Sequence, residues 1–111
     1  MGFFPIDYYL NIWYGKTTIM KAELIFHEKV VEPDSSIIEV EIWAVAPTTD
    51  RSHGYKYSMA YIKSGKRIVG YDNSEGEGDH RHYGDREKPY RFTGIDKLFE
   101  DFYRDVRRVK G

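Results

Sequence analysis

Two imidazoles, a guanidinium and a carboxylate fall on consecutive residues of this 111-residue chain, at Asp79-His80-Arg81-His82. On an extended backbone, side chains two apart share a side, so His80 and His82 point one way and Asp79 and Arg81 the other. Two imidazoles in one cleft can divide general-base and general-acid work at neutral pH, because a free imidazole titrates at about 6.5. A cation beside them, Arg81, Arg86 or Lys56, would stabilise charge developing on a phosphoryl group. That set suffices for metal-independent RNA cleavage with the ribose 2′-hydroxyl as nucleophile. The candidate catalytic residues are His80, Arg81, His82, Lys56 and Asp72.

The same residues admit two other uses. His80 and His82 with Asp79 or Asp72 would offer nitrogen and oxygen ligands to zinc, manganese or nickel, although H-x-H spacing supplies no third or fourth ligand. Alternatively the segment is a polar loop whose histidines hydrogen-bond to neighbouring strands. The glycines of Gly76-Glu77-Gly78-Asp79 lack the strand-to-helix setting of a phosphate-cradling loop. No cofactor is expected.

The elements that must hold this segment follow from hydrophobic periodicity. Thr17 to Val31 alternates as a strand, with Ala22, Leu24 and Phe26 on one face and Glu23, Ile25, His27 and Lys29 on the other. Glu32-Pro33-Asp34-Ser35 is a turn, and Ile37 to Val45 alternates again, which makes an antiparallel hairpin. Tyr55 to Lys63, Ser64-Gly65 and Arg67 to Asp72 repeat the pattern with a two-residue turn. Every charged side chain from Arg51 through Tyr71 is basic. Glu39 and Glu41 would pair with some of these across the sheet, or the face would bind a polyanion. Candidate substrate-binding residues are His53, Tyr55, Lys63, Lys66, Arg67, Asn73, Asp79 and Arg86.

The last element is a helix. Thr93 is the expected N-cap, with Asp96 three residues on. Ile95, Leu98, Phe99, Phe102, Val106 and Val109 form one stripe, and acidic residues precede basic ones in the order the helix dipole favours. The expected fold is therefore α+β: an antiparallel meander of about four strands with the helix on one face. One domain spans 1–111, divided into an aromatic N-terminal arm (1–16), the meander (17–73), a polar histidine-containing loop (74–92) and the helix (94–109).

Composition narrows the function classes. A net charge of -1 gives no global attraction to nucleic acid, so any such binding must come from local patches. The absence of cysteine excludes disulfides and thiolate metal sites. No apolar run approaches the roughly 20 residues of a membrane span, and the N-terminus lacks a signal-peptide pattern, so a cytoplasmic protein with no membrane partner is expected. The aromatic arm and an exposed sheet edge would allow a homodimer. They equally suit a non-catalytic binding module that holds a protein or RNA partner on the open sheet face.

The series H-G-Y-K-Y (53–57), Y-D-N (71–73), G-D-H-R-H (78–82), P-Y-R-F-T (89–93) and L-F-E-D-F (98–102) resembles the TumE family, small toxin components of type II toxin–antitoxin systems. The likeness begins near Met20, a second candidate start, and runs to the end of the helix. The resemblance implies a growth-inhibiting protein with a cognate antitoxin, usually one carrying a helix-turn-helix domain. Ribonuclease activity is an expectation by analogy with other small toxins.

Overall fold

The computed structural model describes residues 22–49, 51–73 and 78–111. The aromatic arm, the first part of the expected first strand and residues 74–77 lie outside them. Strands β1 (Glu23–Val31), β2 (Ile37–Ala44), β3 (Tyr55–Lys63), β4 (Lys66–Asp72), β5 (His80–Tyr83) and β6 (Arg86–Pro89) precede one helix, α1 (Ile95–Lys110). The strands form a single antiparallel sheet in chain order, and α1 packs on one face of it. This is the expected α+β meander, extended by two strands. The stretch 74–92, expected to be loop, carries the β5–β6 hairpin instead. Its polar alternation hid it, because β5 buries an imidazole on one face where a core strand would place an apolar residue.

Turn chemistry fixes the register. Ser64 and Gly65 both have positive φ, 54° and 75°, as a type I′ hairpin turn requires. Gly84, φ 58°, begins the tight turn that pairs Tyr83 with Arg86. At the β1–β2 turn the Asp34 carboxylate accepts the Ser36 amide at 2.9 Å and the Ser36 hydroxyl at 2.6 Å.

The core lies between sheet and helix. Ile38, Val40 and Ile42 of β2 pair with Tyr61, Met59 and Tyr57 of β3, and Tyr61 and Met59 with Val69 and Tyr71 of β4. Leu98, Phe102 and Val106 close this surface from α1. Each such side chain contributes on the order of 1.5–3 kcal/mol by leaving water. The alternation expected for β1 breaks at a bulge between Leu24 and Phe26. The extra residue inverts the faces, so Leu24 aligns with Trp43 on the open side while Phe26 meets Phe99 of α1, ring centroids 5.4 Å apart.

The helix starts one residue later than expected. Its N-cap is Gly94, φ 149°, a conformation that favours glycine, and no side chain caps it. Thr93 therefore lies outside the cap, and Asp96 acts in the first turn through the dipole alone. No helix among the described residues is long and apolar enough to cross a membrane.

Candidate functional site

β5 distributes its side chains to the two faces of the sheet. Asp72 aligns with His80 and Gly70 with His82, so both imidazoles stand on the face away from α1. Their rings are stacked, centroids 6.5 Å apart and 25° between planes. Each has its own carboxylate, reached diagonally across the ladder. His82 Nε2 lies 3.1 Å from Asp72 Oδ2, and His80 Nδ1 lies 2.8 Å from Glu87 Oε2. Asp72 Oδ2 also holds Arg67, whose Nη1 is 3.6 Å away.

Arg67 reaches Asp72 by lying across Gly70. A Cβ at Gly70 would stand 2.7 Å from Arg67 Cδ, closer than any ordinary contact. The open face is low at this point, with Ser58, Ala60 and Gly70 in the rows that lead to the histidines. Lys56 belongs to the same face one pairing step beyond Ser58 and Asp72, toward the end where the chain leaves β4. Imidazoles, carboxylates and two cations thus share one sheet surface. The arrangement can accept a proton, donate one, and neutralise an anion beside them.

Arg81 does not join this group. It aligns with Tyr71 on the helix face, where its Nη2 lies 3.1 Å from Asp105 Oδ2 and donates to the Tyr83 hydroxyl. Its guanidinium carbon sits 5.5 Å and 5.0 Å from the centroids of the Tyr71 and Tyr83 rings. Asp105 is fully buried and also accepts the Tyr71 hydroxyl. Burial alone would push its carboxyl up, but the Tyr71 and Tyr83 hydroxyls and the charges of Arg81 and Arg104 outweigh it and hold it below its ordinary value. Burial, followed by the Asp105 carboxylate, pushes the Tyr71 phenol up. Sequence periodicity missed Asp101 and Asp105. An acidic pair four apart on the flank of an apolar helical stripe is the signal that could have found them.

Asp79 forms a third group, apart from the histidine pair. Its Oδ2 accepts the Tyr57 hydroxyl at 2.6 Å and lies 3.0 Å from His53 Nε2. His53 Nδ1 accepts the Tyr55 amide at 3.1 Å, which places the ring proton on Nε2, aimed at Asp79. The His53 ring also rests against Phe92, centroids 4.0 Å apart, with Tyr55 close to the same ring. Asn73, fully buried, accepts the Tyr57 amide and donates to the Tyr55 carbonyl, so it continues the β3–β4 ladder. Asp79, His53 and Asn73 therefore pin both sides of the connection between β4 and β5.

The remaining candidates are dispersed. Lys63 and Lys66 face each other at the tip of the β3–β4 hairpin, and Lys63 reaches Asp34 at 3.7 Å. Arg86 is exposed on the helix side of β6. Glu39 and Glu41 meet His27 of β1, at 3.4 Å and 4.0 Å, in place of the basic residues expected across the sheet. Ser58 and Ala60 are the residues that actually face Glu41 and Glu39 on β3. Among the described residues no group of three or more His, Asp or Glu side chains is placed to hold a metal ion. Asp79 faces away from the H-x-H pair, which removes one ligand set that the spacing allowed.

Among the described residues, a six-stranded meander with one covering helix and an imidazole-bearing face opposite it defines a small α+β protein. Its family is given by comparison. The model of the family described as Toxin TumE matches residues 16–110, and the chain belongs to that family. The match begins four residues ahead of Met20. No curated protein and no solved structure is significantly similar to it. A toxin family implies an antitoxin partner.

Proposed function

We propose that this chain is the toxin of a type II toxin–antitoxin pair, that it works in the cytoplasm, and that it inhibits growth by cleaving RNA at the open face of the sheet. The observation that carries the reading is the stacked pair His80 and His82, each beside its own carboxylate and next to Arg67. In the reaction one imidazole removes the proton of a ribose 2′-hydroxyl. The resulting oxygen attacks the adjacent phosphorus, the bond to the 5′-oxygen breaks, and the second imidazole, protonated, delivers its proton to that leaving oxygen. The products are a 2′,3′-cyclic phosphate and a 5′-hydroxyl. Asp72 and Glu87 orient the rings, and Arg67 and Lys56 stabilise charge on the phosphoryl oxygens. Arg81 contributes by anchoring β5 to α1. The antitoxin in this reading carries a helix-turn-helix domain and is encoded beside the toxin.

The test is growth arrest on induction of the parent and of a His80→Ala, His82→Ala variant at equal expression, with purified protein assayed on RNA in parallel. Loss of both arrest and cleavage is expected. Full arrest by the double variant would overturn the catalytic reading. If charge reversal at Lys63, Lys66 and Arg67 then abolished arrest, a non-catalytic binding module would take its place.

A further inference from the structure

The basic residues of the C-terminal half are not spread evenly. Those of α1 that lie toward β5 and β6 are Lys97, Arg104 and Arg108, one stripe at 3.6 residues per turn. The contacts of Lys97 and Arg104 with Asp101, which itself accepts the Tyr90 hydroxyl just after β6, fix the side of the helix on which this stripe lies. On β6, Arg86 aligns with Tyr83 and Lys88 with Arg81, which puts both on the helix side of the sheet. Two rows of cations therefore flank Arg81, Tyr83 and Tyr90 on the helix side of the sheet.

Acidic groups offset only part of this charge: Asp85 is exposed in the turn beside Arg86, and Glu87 lies on the other face beside His80. Asp101 and Asp105 are buried beneath the cations and already paired. Of the exposed acids of the helix, Glu100 lies three residues after Lys97 and four before Arg104, beside their stripe, and Asp96 lies farther round the helix. Arg86, Lys88 and Arg108 are exposed and have no ion-pair partner among the described residues. In a chain whose net charge is -1, this local excess is a property of the fold and not of composition.

We propose that the basic surface formed by α1 and β6 binds the sugar–phosphate backbone of a polynucleotide. A protein partner needs apolar anchors at the centre of its interface. Among the described residues the large exposed apolar side chains are Ile25, Phe26, Val30, Val31 and Val109, none of them on β5 or β6. A phosphate backbone requires only cations, and guanidinium groups suit it because they engage phosphate through two parallel hydrogen bonds. Among the described strands β6 is an edge of four residues, so a strand held on this surface passes over a short edge to the histidine face. The proposal rests on RNA being the target and not on the histidines being catalytic.

The experiment measures binding of a fluorescein-labelled 20-nucleotide single-stranded RNA, and of DNA of the same sequence, across a salt series. It compares the parent, an Arg86→Gln, Lys88→Gln, Arg108→Gln variant and the His80→Ala, His82→Ala variant, with a urea melt of each to confirm folding. For single strands each cation in contact adds about 0.7 to the slope of log affinity against log salt. The expected result is a slope reduced by about 2 and an affinity at least ~10-fold weaker at 0.1 M salt in the glutamine variant. The histidine variant should bind like the parent while failing to cleave, which separates failure of this proposal from failure of the catalytic one. Equal binding of RNA and DNA assigns recognition to the phosphates alone, and preference for RNA adds the 2′-hydroxyl. Parent-like affinity and slope in the folded glutamine variant would overturn the proposal.

Discussion

His80, Arg81 and His82 are consecutive, yet they leave β5 toward opposite faces and meet opposite environments. On the helix face, Arg81 is held between two tyrosine rings and a carboxylate with no exposure, and every cation around Asp101 and Asp105 has a buried partner. On the open face, the imidazoles pair with Asp72 and Glu87, which remain in contact with water. Burial makes the first set part of the fold, since a buried charge without its partner is costly. In the second set His82 is itself buried, while its partner Asp72 and the His80 partner Glu87 stay accessible. Residues with similar charges thus meet a closed core on one side of a strand and, on the proposed catalytic side, carboxylates in contact with water.

The comparison can be broken in order of expected effect. Removing the imidazoles with His80→Ala, His82→Ala should lower RNA cleavage by about 10²–10⁴-fold and leave the unfolding free energy from a urea titration within about 1 kcal/mol of the parent. A large loss of stability would show that the open face is structural after all. Asp105→Ala should do the reverse. It strands Arg81 and the Tyr71 hydroxyl, and unfolding free energy should fall by about 3 kcal/mol in a urea titration.

Acid should separate the faces next. The Asp101 and Asp105 carboxyls lie below their ordinary values: burial opposes this, while donors from Lys97 and Tyr90, or from Tyr71 and Tyr83, outweigh it together with nearby cations. A depressed carboxyl contributes stability above its unfolded value of about 3.9 and loses it as pH falls through the folded value. Thermal melts between pH 6 and pH 2 should therefore show a loss below about pH 4 that is smaller in Asp105→Asn. The smallest effect belongs to Gly70→Ala, whose new methyl meets the flexible Arg67 side chain and not backbone. Stability should change by less than ~1.5 kcal/mol, while cleavage falls because Arg67 leaves Asp72. An unchanged cleavage rate would remove Arg67 from the site.

Much of the scaffold was legible because its signals are local. The Ser64-Gly65 turn, the alternation of Ile38, Val40 and Ile42, and the Leu98, Phe102 and Val106 stripe each depend on neighbours within a few residues. The β5–β6 hairpin was not legible, because its alternation is polar on both faces and only the ladder to β4 reveals a strand. The β1 bulge escaped for a related reason: a single extra residue inverts the faces without altering composition.

The candidate site divides in the same way. Residue types and spacing already determined that His80 and His82 share a side and that Arg81 opposes them, since strand geometry alone sets a period of two. The family resemblance was likewise carried by the order of motifs along the chain. Only the tertiary structure decided the partners: Asp72 and Glu87 for the histidines, Asp105 for Arg81, His53 and Tyr57 for Asp79. These pairings depend on register between strands and on the angle of a packed helix. Both are set by how the whole core closes, and no local pattern encodes them.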